Sequence, residues 1–106
     1  MSFALQPGRA AGPAWPTGPE EARVRVDLAA AYRLAARERW DDLIYTHISA
    51  TVPGEPGHFL INPFGLLYSE VTASNLVKID IDGNKLADSP YPVNRAGFVQ
   101  HALFHR

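Results

Sequence analysis

Two histidines near the carboxyl end have the spacing that metal sites use. His101 and His105 are four residues apart, so on a helix both imidazoles face one side and can share a zinc ion. No glutamate follows His101 directly and no third ligand lies close by in sequence, and paired histidines on an apolar helix face are more often packed and hydrogen-bonded. We therefore predict no metal site and retain His101 and His105 as weak candidates.

Four other positions each allow a structural and a functional interpretation. His47 either donates to a backbone carbonyl or lines a pocket, and Asn94 either caps a helix or serves a site. Gly65 suits a turn that needs a positive φ. Arg95 lies in the first turn of a predicted helix, where the dipole disfavours a cation, so an anion site of backbone N–H groups and its guanidinium is the alternative to a simple surface residue.

The sequence lacks the common motifs of nucleophilic and phosphate chemistry. It contains no Ser/His/Asp order with convincing context, no GxGxxG or GxxxxGK loop, and no carboxylate pair flanked by apolar residues. Residue types and spacing by themselves therefore assign no reaction.

Periodic patterns predict the elements that position these residues in the first half of the chain. Thr17-Gly18-Pro19-Glu20 is typical of a capping box, and apolar residues at helical spacing predict an amphipathic helix over Glu20–Arg39. Alternation over Leu43–Val52 predicts a strand whose polar face turns His47 and Ser49 away from the core.

The second half alternates turn signals with short strands and ends on a helix. His58–Asn62 should pair antiparallel with the first strand, and Leu76–Ile81 should form a third strand that enters a hairpin at Asp82-Gly83-Asn84. Thr72-Ala73-Ser74-Asn75 is typical of a short helical turn. A last helix is predicted over Arg95–Arg106, directly after its asparagine cap.

Composition excludes several classes of function. The chain has 106 residues, a net charge of −1 and no cysteine, which excludes disulfide scaffolds, thiol catalysis and cysteine metal sites. It has no basic stripe for nucleic acid, no apolar run long enough to span a membrane, and no signal peptide. We expect a cytoplasmic protein that binds neither nucleic acid nor membrane.

Prolines and glycines divide the chain into two parts. They are concentrated in the first 19 residues, which predicts a flexible leader over 1–19 and leaves 20–106 for folding. The last helix has no glycine or asparagine stop signal and no proline after it. We therefore expect 20–106 to be the amino-terminal part of a larger domain.

Five strings of residues keep the order and spacing of one known family. They are His47-Ile48-Ser49-Ala50, the stretch from His58 to Ser74, Leu76-Val77-Lys78-Ile79, Asp82-Gly83 and Val93-Asn94-Arg95-Ala96-Gly97-Phe98. Together they closely resemble the class II aldolase/adducin family, and within it the adducin-like branch, over roughly Asp27 to Arg106. The resemblance implies an α/β fold, namely the amino-terminal portion of an α/β/α domain with a mainly antiparallel sheet.

The resemblance also indicates which residues occupy the family's catalytic positions in this chain. In the family's aldolases a zinc ion held by histidines stabilises an enediolate, and a glutamate transfers the proton. That glutamate falls at Gly97, and the metal-binding histidines come after the helix in which this chain ends. The resemblance therefore implies no catalytic residue and no cofactor in this chain, with zinc expected for an active full-length relative.

The phosphate-binding positions of the family's aldolases also carry different residues here. Two serines fall at Arg95 and Ala96, the serine of a Thr-Pro-Ser-Gly loop falls at Phe64, and an asparagine matches His47. The candidate ligand pocket is therefore formed by His47, Phe64, Gly65, Asn94, Arg95 and Gly97.

Three hypotheses follow for the function. The favoured one is an adducin-like module without classical aldolase activity that forms a homo-oligomer or binds a small molecule, with actin or cytoskeletal binding implied by resemblance alone. The second is a zinc-dependent lyase that acts on a small sugar phosphate or hydroxy-carbonyl substrate when completed by downstream sequence. The third is a truncated product with no independent function.

Overall fold

A three-stranded sheet lies between two helices in the computed structural model, which describes residues 18–106. The predicted leader therefore falls outside the described residues as far as Thr17, and its last residue, Pro19, is helical. The elements in chain order are α1 (Pro19–Arg37), β1 (Ser49–Thr51), β2 (His58–Ile61), a short 3-10 helix (Tyr68–Glu70), β3 (Val77–Asp80) and α2 (Arg95–Phe104).

Helix α1 begins and ends differently from the prediction. Its N-cap is Gly18, which has no side chain to accept a hydrogen bond, and the threonine of the predicted capping box lies outside the described residues. The helix ends at Arg37 because Arg39 has a φ of 59°. The Arg39 N–H donates to Ala36 O and the Trp40 N–H to Ala35 O, which is the Schellman closure of a helix.

The sheet is antiparallel with the order β1-β2-β3, so β2 is central. Ser49 lies opposite Ile61, and Phe59 lies opposite Ile79. The predicted pairing of the first two strands is confirmed, but β1 has only three residues instead of the ten over Leu43–Val52. Leu43 has a φ of 52°, which is incompatible with an extended strand at that point.

Two turns near β3 show one confirmed prediction and one correction. The hairpin after β3 forms, with the Asp80 carboxylate accepting the N–H groups of Asp82 and Asn84, each at 2.9 Å. At Thr72-Ala73-Ser74-Asn75 a single turn forms, closed by the Asn75 N–H, which donates to the Thr72 carbonyl at 3.3 Å. It is not assigned as a helix: the Asn75 side chain takes part in the turn, because the Thr72 N–H donates to Asn75 Oδ1 at 2.9 Å.

Alternation along β2 builds a core on each face of the sheet. Leu60 packs on the α1 side with Leu28 and Tyr32, whereas Phe59 and Ile61 pack on the α2 side. The expected layered α/β/α arrangement is therefore present in the described residues. None of the helices in residues 18–106 has the length and apolar character needed to cross a membrane.

A buried ion pair joins α1 to the sheet, and the sequence patterns did not indicate it. Arg25 Nε lies 3.0 Å from Glu21 Oε2, and Arg25 Nη1 donates to the carbonyls of Ala73 and Leu76 at 3.1 and 2.9 Å. Lys78 Nζ on β3 lies 2.5 Å from Glu21 Oε1. The Glu21 carboxylate thus lies between Arg25 of its own helix and Lys78 of β3, and the contact with Lys78 joins the helix to the strand.

Candidate functional site

The segment before β1 is held in place by a tyrosine of α1. The buried Tyr32 hydroxyl accepts the Ile48 N–H at 2.7 Å and donates to the Ile48 carbonyl. Burial raises the pKa of Tyr32 well above its usual range, so the hydroxyl keeps its proton. Since Ile48 points towards α1, its neighbours His47 and Ser49 face α2, as their alternation predicted.

A serine and two histidines form the centre of the site. Ser49 Oγ lies 2.5 Å from His101 Nδ1 and 2.7 Å from His105 Nε2. The two histidines lie one turn apart on α2, which is why both rings reach the same oxygen. The ring of the buried Phe59 supports His105, with 4.8 Å between ring centroids.

The surroundings of His101 and His105 favour the neutral forms of both rings. Burial lowers the pKa of His105, while burial and the neighbouring His47 and His105 lower the pKa of His101. A hydroxyl has one proton, so between two neutral imidazoles Ser49 donates to one and accepts from the other. The arrangement satisfies the Ser49 hydroxyl and the two ring nitrogens that face it without a cation.

His47 completes the site beside the start of α2. Asn94 Oδ1 accepts the Ala96 N–H at 3.1 Å, which confirms the predicted cap and leaves the Asn94 amide group to donate to His47 Nε2 at 3.2 Å. His47 Nε2 is therefore an acceptor, and burial lowers the pKa of this ring. A Cβ added at Gly97 would lie 2.7 Å from His47 Nε2, so only glycine permits this approach.

The six candidate pocket residues are distributed over more than one place. The contacts just described connect His47, Asn94 and Gly97. Phe64 lies in the turn after β2, where its N–H donates to Pro92 O at 2.9 Å, and the exposed Gly65 has a φ of 102°. Arg95, the remaining candidate, lies apart from these residues. It lines a separate cavity of 330 Å³ together with Asp82, Gly83, Val93 and Phe98.

The described residues do not form a zinc site. Within residues 18–106, no three side chains of histidine, cysteine, aspartate or glutamate are grouped so that they could hold a metal ion. One ring nitrogen each of His101 and His105 is directed at Ser49. The geometry of this weak candidate pair fits a hydroxyl.

Comparison with known families decides where the chain belongs. The model of the Class II Aldolase and Adducin N-terminal domain matches residues 26–106. The chain belongs to the class II aldolase/adducin family. The family resemblance in the sequence is therefore confirmed.

Relatives of both kinds within the family are similar to this chain. A Caulobacter vibrioides protein provisionally named a class 2 aldolase is 55% identical over 85 residues, which are 80% of this chain and 33% of that protein. Alpha-adducin of Rattus norvegicus is 49% identical over 87 residues, covering 80% of this chain and 12% of that protein. The chain thus spans a third or less of these relatives.

A solved structure of the family supports the fold. The L-fuculose 1-phosphate aldolase of Glaciozyma antarctica superposes with a TM-score of 0.78 at 32% identity, covering 89% of this chain and 39% of that one. The predicted fold, the amino-terminal portion of the class II aldolase/adducin domain, is therefore confirmed.

Exchanging Gly97 tests the close contact with His47. In the unchanged chain we expect Gly97→Ala to be destabilising, because the imidazole must leave Asn94 to make room for the methyl group. In a His47→Ala background the same exchange should stabilise by up to about 1 kcal/mol, since alanine is the better helix former. Urea unfolding of the four proteins measures both effects. Equal effects in the two backgrounds would show that the contact is unimportant.

Proposed function

We propose that this chain is an adducin-like module of the class II aldolase family that associates with further copies of itself and does not perform aldol cleavage. The contact of Gly97 with His47 is the observation that carries the proposal. At the position where the family resemblance places the aldolases' glutamate, this chain has no side chain, and the His47 ring fills the space beside it.

His47 is a poor replacement for the missing acid/base group. Its Nε2 atom accepts a hydrogen bond from Asn94, so its lone pair is engaged, and the ring is packed edge-on to His101 with 5.7 Å between centroids. Positioned proton transfer contributes about 10²–10⁴-fold to a reaction rate. We therefore infer that His47 and its neighbours have a structural role in this module.

The outer face of α2 supports the proposed self-association. Val99, Leu103 and Phe104 are 51%, 62% and 70% exposed. Val99 and Leu103 lie one turn apart and Phe104 follows directly, and exposed apolar side chains grouped in this way are typical of a surface that another protein surface covers. We propose a second copy of the chain as that partner, with residues 20–106 forming the associating part.

One set of measurements on the purified chain tests the proposal. We expect no cleavage of L-fuculose 1-phosphate above the buffer rate, with or without added zinc, and a mass that rises with concentration in light scattering. Leu103→Glu should weaken self-association about tenfold or more, because a carboxylate would be buried in the contact.

Leu34→Glu is the matched control, since Leu34 is 57% exposed but lies on α1. Leu34→Glu should leave the concentration dependence of the mass measured by light scattering unchanged. Zinc-dependent turnover would favour the alternative of a metal-dependent lyase. A monomer at all concentrations, or equal effects of the two glutamates, would contradict self-association through α2.

A further inference from the structure

We propose that His47, Ser49, His101 and His105 form a pH-sensitive latch that docks α2 on the sheet at neutral pH and loosens it in mild acid. We define the latch as these four residues. Its components come from the segment before β1, from β1 and from α2, so their contacts decide how firmly the helix is attached.

The latch connects elements that are otherwise joined through apolar packing. Its serine belongs to β1, and the two helix histidines reach that hydroxyl from one face of α2 at 2.5 and 2.7 Å. Beneath them, Ala102 packs with Phe59 and Ile61 of β2. Separation of α2 from the sheet would therefore break the histidine contacts and this apolar packing together.

Among residues 18–106, no carboxylate forms an ion pair with a latch histidine. The segment before β1 contributes His47, and β2 contributes the uncharged Phe59 ring. Arg95 is the arginine of α2, and Arg106 follows the end of the helix; both side chains are cations. Among residues 18–106 the histidine that pairs with a carboxylate is His58, which lies 3.0 Å from Glu55 and outside the latch.

Protonation would therefore place cations side by side. If His101 and His105 are both protonated to their charged forms, the ring nitrogens that face Ser49 are both donors. Two positive rings then meet at one oxygen. His47 would simultaneously lose its acceptor at Nε2, where the Asn94 amide group donates. Protonation in acid thus weakens the polar contacts of all three latch histidines.

The sign of the pH dependence follows from the direction of the pKa shifts. The pKa values of His47, His101 and His105 are all lowered in the folded chain, chiefly by burial. The unfolded chain therefore binds more protons as the pH falls below about 6.5. The stability that the latch contributes is fully present above that pH and is lost as the pH falls through the folded-state pKa values.

Urea unfolding of the full chain at fixed concentration between pH 7.5 and 5.0 tests the proposal. We expect the folding equilibrium constant to fall about tenfold or more over this range. His101→Gln with His105→Gln should remove most of that loss, because the amides can still bond Ser49 but cannot titrate. His58→Gln is the matched control and should leave the loss intact.

A measurement on the unchanged chain covers the case in which the double variant fails to fold. In NMR titrations, the imidazole signals of the latch should titrate below the usual histidine range, and the amide signals of α2 should shift with them. Latch histidines that titrate normally while the α2 signals stay fixed would overturn the proposal. So would a double variant with the same pH dependence as the unchanged chain.

Discussion

Phe59→Ala is expected to lower the free energy of unfolding by about 3–5 kcal/mol. Phe59 is fully buried on the central strand, lies opposite Ile79, and supports the His105 ring. Its removal leaves a cavity beneath α2 that the surrounding side chains fill only in part. Because native domains have only about 5–15 kcal/mol of stability in total, the variant should lose a large fraction of it.

An exposed aromatic residue away from α2 is the control. Trp40 follows α1 and is 77% exposed, so Trp40→Ala should change the free energy of unfolding by no more than about 0.5 kcal/mol. Urea unfolding followed by circular dichroism measures both variants. Similar losses for the two exchanges would mean that Phe59 does not lie in the core shown here.

Arg25→Ala is the second exchange with a large expected effect, also about 3–5 kcal/mol. Removing the guanidinium leaves the buried Glu21 carboxylate with Lys78 as its ion-pair partner and removes the donor to the Ala73 and Leu76 carbonyls. The loss arises from unpaired buried polar groups as well as from the ion pair itself.

Arg23 provides the control for Arg25, because its exchange shows the effect of removing an exposed arginine from α1. It is exposed on the same helix, so Arg23→Ala removes the same charge without disturbing a buried group. We expect a change within about 0.5 kcal/mol for Arg23→Ala in thermal or urea unfolding. A small effect of Arg25→Ala would show that water readily replaces the buried contacts.

Local patterns of the sequence were sufficient for several elements. The strand at His58–Asn62, the Asp82-Gly83-Asn84 hairpin and the Asn94 cap are each determined by residues within a few positions of one another. The family resemblance rests on strings of the same kind, and both the family and the layered fold are confirmed. The sequence also indicated that His47 and Ser49 share a face, because a strand has a period of two.

The tertiary structure decided how those residues are used. Ser49 and His101 are separated by 52 positions, and only the packing of α2 across the sheet brings them to 2.5 Å. The same packing places Gly97 against His47 and directs Arg95 to another cavity. Glu21 and Arg25 could be seen as neighbours on one helix face, but their burial and the pairing of Glu21 with the distant Lys78 depend on how α1 packs on the sheet. Side-chain periodicity fixes which face a residue occupies, whereas its partner depends on the register and packing of elements far away in the chain.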